Sequence, residues 1–177
     1  MKFNAASYGR EVEQILRRDA PSLAGLVASA TPALELQRSL SKSLFVDSAH
    51  PKGALAGLWL YFDCFDESHT VSQADDSCEG SFWHGIAHRR EPDYGNSAYW
   101  FRQAGSHSVF PEILEAARLV PGPGLRFHST WDPIAFVDFC EEAAQAGGER
   151  EAWALAVQRV EWEILFDFCA RARKSSV

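Results

Sequence analysis

Apolar side chains recur every three or four residues along most of this chain, and no stretch shows a convincing strand alternation. That period restricts the chain to helices packed through one face each. The spacing predicts a helix over residues 8–18 (Val12, Ile15, Leu16). A second opens at Thr31-Pro32, with Thr as N-cap and Pro in the first turn, and carries Leu34, Leu36 and Leu40. The short SLFVDS run after it suits an extended segment. One long helix is expected over 51–73, wrapped on most sides by Leu55, Leu58, Trp59, Phe62 and Phe65 and therefore central. The polar linker 74–80 leads to a helix over 81–91 that Pro92 ends. Further helices are expected over 96–103, closed by Gly105, and over 111–119. Asp132-Pro133 starts a helix to residue 146, and the last spans 149–173, with Trp153, Ala156, Val160, Ile164 and Phe168 in register. Pro121-Gly122-Pro123-Gly124 is a turn. The expectation is an all-α fold: a single compact multi-helix domain over 1–177, six to eight helices around a central antiparallel helix hairpin.

A chain of 177 residues, 46% hydrophobic and 23% charged, can bury a real core as one domain. Its net charge is -7 and no dense Lys/Arg run exists, which argues against nucleic acid as a partner. No window reaches the 18 apolar residues of a membrane span, and the first residues lack a signal-peptide core, so no membrane association is expected. Cys64, Cys78, Cys140 and Cys169 are widely spaced with no CxxC, as in reduced thiols of a cytoplasmic protein.

The segment 63–102 holds the chemistry. Asp66, His69 and Gln73 fall on one helical stripe, and His84, His88 and Glu91 on another. If the two helices form a hairpin centred near Ser77, Thr70 faces His84, Asp66 faces His88 and Asp63 faces Glu91. His69 then lies beside His84, and Trp59, Phe62, Trp83 and Trp100 line the junction. His-x3-His presents two imidazoles to one ion, and a third histidine or carboxylate completes a set that suits zinc or non-haem iron. Three readings stay open: a metal site of His84, His88 and His69; a metal-free pocket in which His69, His84, His88, Glu91 and Asp66 do acid/base work; and a core hydrogen-bond network with no activity. Arg102, Trp100, Trp83, Gln73 and Asp63 are the expected ligand-binding residues. A guanidinium beside aromatic faces clamps a carboxylate or phosphate, or else braces Asp93 or Glu91, so the expected ligand is small and polar or anionic. The high aromatic content, 12%, also suits a helical module that binds a partner or forms a homodimer.

Arg89 and Arg90 follow the histidine stripe and are expected to turn away from it, to solvent or to an acid on another helix. Glu161 shares a stripe with Leu165 and Phe168 and points inward, toward the site or an arginine. His50, His107 and His128 read as surface residues. Ser68 points away from its neighbour His69, so it is no nucleophile. No Walker loop, GxGxxG or GxSxG is present.

The run FWHGIAHRREPDYGNSAYWFRQAGSHSVF, with DESHTVSQ before it, resembles a family of uncharacterised bacterial and fungal proteins over about residues 55–110. The resemblance implies that His84, His88, Arg89, Glu91, Asp93, Asn96, Trp100 and Arg102 belong to the family's signature. It implies no activity.

Overall fold

The computed structural model describes residues 3–17, 23, 25–27, 40, 42–126 and 129–172. Helix α1 (Arg10–Leu16) buries Val12, Ile15 and Leu16 as its spacing requires. It follows a short 3-10 turn, Ala5–Tyr8, whose Tyr8 hydroxyl donates to Asp167 2.8 Å away. The helix expected from Thr31 lies outside the described residues. The segment read as extended is a 3-10 turn, Lys42–Phe45, and only Ser48 makes an isolated antiparallel bridge, to Ala172.

Residues 51–73 do not form one helix. Helix α2 (Pro51–Tyr61) is buried at every position from Gly53 to Tyr61. The chain then turns at Asp63, whose φ is 58°, and runs back as α3 (Phe65–Gln73). The Ser68 hydroxyl donates to the Ala56 carbonyl at 2.9 Å, and Lys52 Nζ donates to the Ala74 carbonyl at 2.6 Å, so α3 lies antiparallel to α2. The apolar run through Phe62 and Phe65 hides this break. A left-handed Asp and a tertiary partner for it, Arg90, decide the turn, and neither has a periodic signature.

Helix α4 (Cys78–Arg90) starts at Ser77, whose hydroxyl accepts from the Gly80 amide at 3.0 Å. Every residue from Phe82 to Arg90 is buried. Gly80 is required, because a Cβ there would lie 2.1 Å from the Asp75 carbonyl oxygen. Helix α5 (Tyr94–Ala104) is capped by Asp93 and fastened to α4 by Ser97, whose hydroxyl donates to the Gly85 carbonyl at 2.7 Å. Helix α6 is Phe110–Arg118. Helix α7 (Pro133–Ala146) opens with the Asp132 carboxylate accepting from two backbone amides, as the Asp-Pro pair predicts. Helix α8 (Gly148–Ala170) runs past α2, and its Trp162 donates from Nε1 to the Gly57 carbonyl at 2.7 Å.

The described residues therefore form eight α-helices in an all-α fold. None is long and apolar enough to cross a membrane. The α3–α4 hairpin is present: Phe65 contacts His88 and His69 contacts His84, an antiparallel pairing. Its register is one residue from the expected one. Phe65, not Asp66, faces His88, and Asp63 meets Arg90 rather than Glu91.

Candidate functional site

The hairpin brings three imidazoles together. The His69 ring centroid lies 4.4 Å from that of His84 and 5.0 Å from that of His88, in both cases edge to face. One ligand nitrogen from each of the three falls within 4.8 Å of the others. His84 and His88, one turn apart on α4, place their Nε2 atoms 2.9 Å apart. Both are buried and His69 is half-buried. Trp100 on α5 stacks on His84 with centroids 4.0 Å apart and planes at 18°, which fixes that ring. Phe65 closes the side next to His69 and His88.

The hydrogen bonds define the tautomer of His88. Its Nδ1 lies 3.2 Å from the Glu91 carboxylate, so Nδ1 carries the proton and Nε2 presents its lone pair. Two groups address that lone pair: His84 Nε2 at 2.9 Å and the Asn96 side-chain nitrogen at 3.1 Å. His84 Nδ1 is buried and lacks a hydrogen-bond partner among the described residues. Burial, with the neighbouring His69 and His88, pushes His84 down to about 3. Burial and His88 also lower His69, against the pull of Glu91 and Asp66. Both rings are therefore neutral near pH 7, the form that binds metal.

The other expected residues fall in different places. Glu91 is at the rim and orients His88, the carboxylate–imidazole pairing seen behind metal-bound histidines. Asp66 is exposed and reaches the cluster only through its charge on His69. Gln73 and Arg102 are exposed. Trp83 does not line the cluster: it is wholly buried on another side of α4, against Gly53 and Gly57 of α2. Asp63 is paired with Arg90, and Arg89 with Glu161 of α8; all four are buried. Neither arginine faces solvent, and Glu161 points inward to an arginine rather than to the histidines. Ser68 donates to the α2 backbone. Asn96 is the residue that spacing alone missed. It sits on α5, outside both stripes, and only the resemblance named it.

A second polar group escaped the sequence reading. Glu79 of α4 accepts from His107 Nε2 at 3.3 Å and lies 3.2 Å from His50 Nδ1. His107 is buried and His50 half-buried, so neither is the surface residue expected; His128 lies outside the described residues. The His107 hydrogen bond, with burial opposing it, brings Glu79 down to about 2. Cys78, Glu79 and His107 have donor atoms close enough for an ion. The hydrogen bonds argue against one. The Val109 amide donates to His107 Nδ1 at 3.2 Å, so Nε2 carries the proton and has no lone pair to offer. The Cys78 thiol donates to the Ala104 carbonyl at 3.3 Å, and burial raises its pKa. This group ties the start of α2 to α4 and to the loop before α6. Its members are 29 and 28 residues apart in sequence, which hides it from any local pattern.

No protein-family model, curated protein or solved structure matches this chain.

Proposed function

We propose that His69, His84 and His88 bind one divalent transition-metal ion, zinc or iron in class, and that the ion acts on a small polar molecule. The convergence of three imidazole nitrogens within 4.8 Å of one another, from two helices, carries this reading. Two nitrogens bound to one ion at about 2.1 Å stand about 3.4 Å apart in tetrahedral geometry and about 3.0 Å apart at a cis octahedral edge. The His84–His88 separation of 2.9 Å matches the second. Glu91 behind His88 and Trp100 against His84 supply the outer support such a ligand set needs. Neutral ligands leave the ion its full charge, which favours activation of bound water or polarisation of a carbonyl or phosphoryl oxygen. The acids at the rim, Asp66, Glu91 and Asp93, favour cation entry and weaken the case for an anionic ligand.

A second reading, a non-catalytic helical module in which the cluster is a structural network, is favoured by the hydrogen-bonded chain Glu91–His88–His84/Asn96. Both readings leave His84 Nδ1 without a hydrogen-bond partner among the described residues, so that atom does not separate them. Elemental analysis after dialysis separates the two. The metal reading expects one equivalent per chain in the wild type and loss of it in His84→Ala and His88→Ala, with the helical circular dichroism retained. Sub-stoichiometric metal removed by dialysis refutes it, and melting of both variants without any metal in the parent favours the network.

A further inference from the structure

On that reading of the cluster, we infer that Asn96 is a fourth protein ligand to the same ion, through its side-chain oxygen, and that the site is five- or six-coordinate. The amide tip of Asn96 lies 3.1 Å from His88 Nε2, close to the roughly 3.0 Å that separates adjacent donors around a six-coordinate ion. His84 Nε2 stands 2.9 Å from the same atom. Two would-be donors thus converge on a single lone pair, since Glu91 holds the His88 proton on Nδ1. A cation at that lone pair removes the reason for either to donate. The Asn96 amide then turns by half a rotation and brings its oxygen to the ion. The two ends of an amide occupy nearly the same space, so the turn requires no movement of α5. Asn96 is half-buried, and its backbone is set by the Asp93 cap at 3.2 Å, which places the side chain beside His88. A neutral amide oxygen is a weak ligand that water or substrate can displace. Four protein donors in a five- or six-coordinate site leave one or two positions open for chemistry.

Cobalt(II) titration of the full chain tests this, because the visible bands of a five- or six-coordinate ion are several-fold weaker than those of a tetrahedral one. The wild type is expected to show weak bands. Asn96→Ala is expected to change band shape and intensity and to weaken binding at least on the order of tenfold, the scale of losing even an outer partner. Asn96→Asp, which keeps the oxygen and adds charge, is expected to bind as tightly as the wild type or more so. Asn96→Ala with the wild-type spectrum overturns the inference while leaving the three-histidine site standing, even if its affinity falls. So does Asn96→Asp behaving as Asn96→Ala does. A wild type that takes up no cobalt refutes the metal site itself, and this ligand with it.

Discussion

Replacing Asp63 tests whether the acid holds the fold or a ligand. Its carboxylate pairs with Arg90, whose side chain is 0% exposed. The guanidinium also donates to the Leu60 carbonyl at 3.1 Å and to the Gly25 carbonyl at 3.2 Å, while its Nε has no partner among the described residues. Removing one member of a buried ion pair costs about 3–5 kcal/mol, because the other charge stays behind. The two carbonyls partly solvate that charge, so Asp63→Asn belongs at the lower end, about 3 kcal/mol. For a chain of this length each kcal/mol moves the melting temperature by about 2–4 °C, so a fall of about 6–12 °C is expected. Asn is the clean replacement, since it tolerates the 58° φ that Asp63 adopts. Asp63→Ala adds about 1–2 kcal/mol for a left-handed Cβ. Asp63→Gly removes that strain and is still expected to melt well below the wild type. Thermal and urea unfolding followed by circular dichroism measure all three, and Asp63→Asn with Arg90→Met completes a double-mutant cycle with a coupling of about 2 kcal/mol or more. An Asp63→Asn protein within about 0.5 kcal/mol of the wild type refutes the reasoning and returns Asp63 to the ligand-binding residues.

Two further outcomes follow from the packing and the electrostatics. Glu79 has its folded pKa depressed to about 2 from an ordinary 4.5, so the unfolded chain takes up its proton first and the stability it gives is lost as pH falls between those values. That loss is on the order of 2–3 kcal/mol. Urea midpoints from pH 6 to pH 2.5 are expected to show it, and a Glu79→Gln protein with the same acid slope as the wild type contradicts it. Gly57→Ala places a Cβ 2.6 Å from the ring of the fully buried Trp83, an overpacking expected to cost about 1–3 kcal/mol. An unchanged melting temperature disproves that contact.

Much of this molecule is legible from local pattern. Asp132-Pro133 and the apolar register of residues 134–146 give α7 nearly to the residue, because an N-cap and a helical period are local physics. The histidine stripe is legible for the same reason: positions 84 and 88 share a face of any helix, and a hairpin brings 69 to them. What escaped depends on contacts made across the fold. The turn at Asp63 exists because Arg90 meets it there, and the Glu79 group joins His50 to His107, 57 residues apart.

The placement of Arg89 and Arg90 explains most about the site. Helical spacing puts them off the histidine face, toward solvent or an acid on another element, and both meet an acid. Helix α4 has no far side, since it is buried all round from Phe82 onward. A helix in that position must neutralise its charges inside the protein. Arg89 does so with Glu161 on α8, and Arg90 with Asp63 at the α2–α3 turn. These two pairs fix α4 against both neighbours and so fix the direction in which His84 and His88 point. The histidines have no such buried partner. The carboxylate hydrogen-bonded to them, Glu91, is 47% exposed and pairs with His88, while His84 Nδ1 has no hydrogen-bond partner among the described residues. Of the polar residues along the buried length of α4, the arginines are committed to ion pairs across the fold, while the two imidazoles meet each other, Glu91 and Asn96.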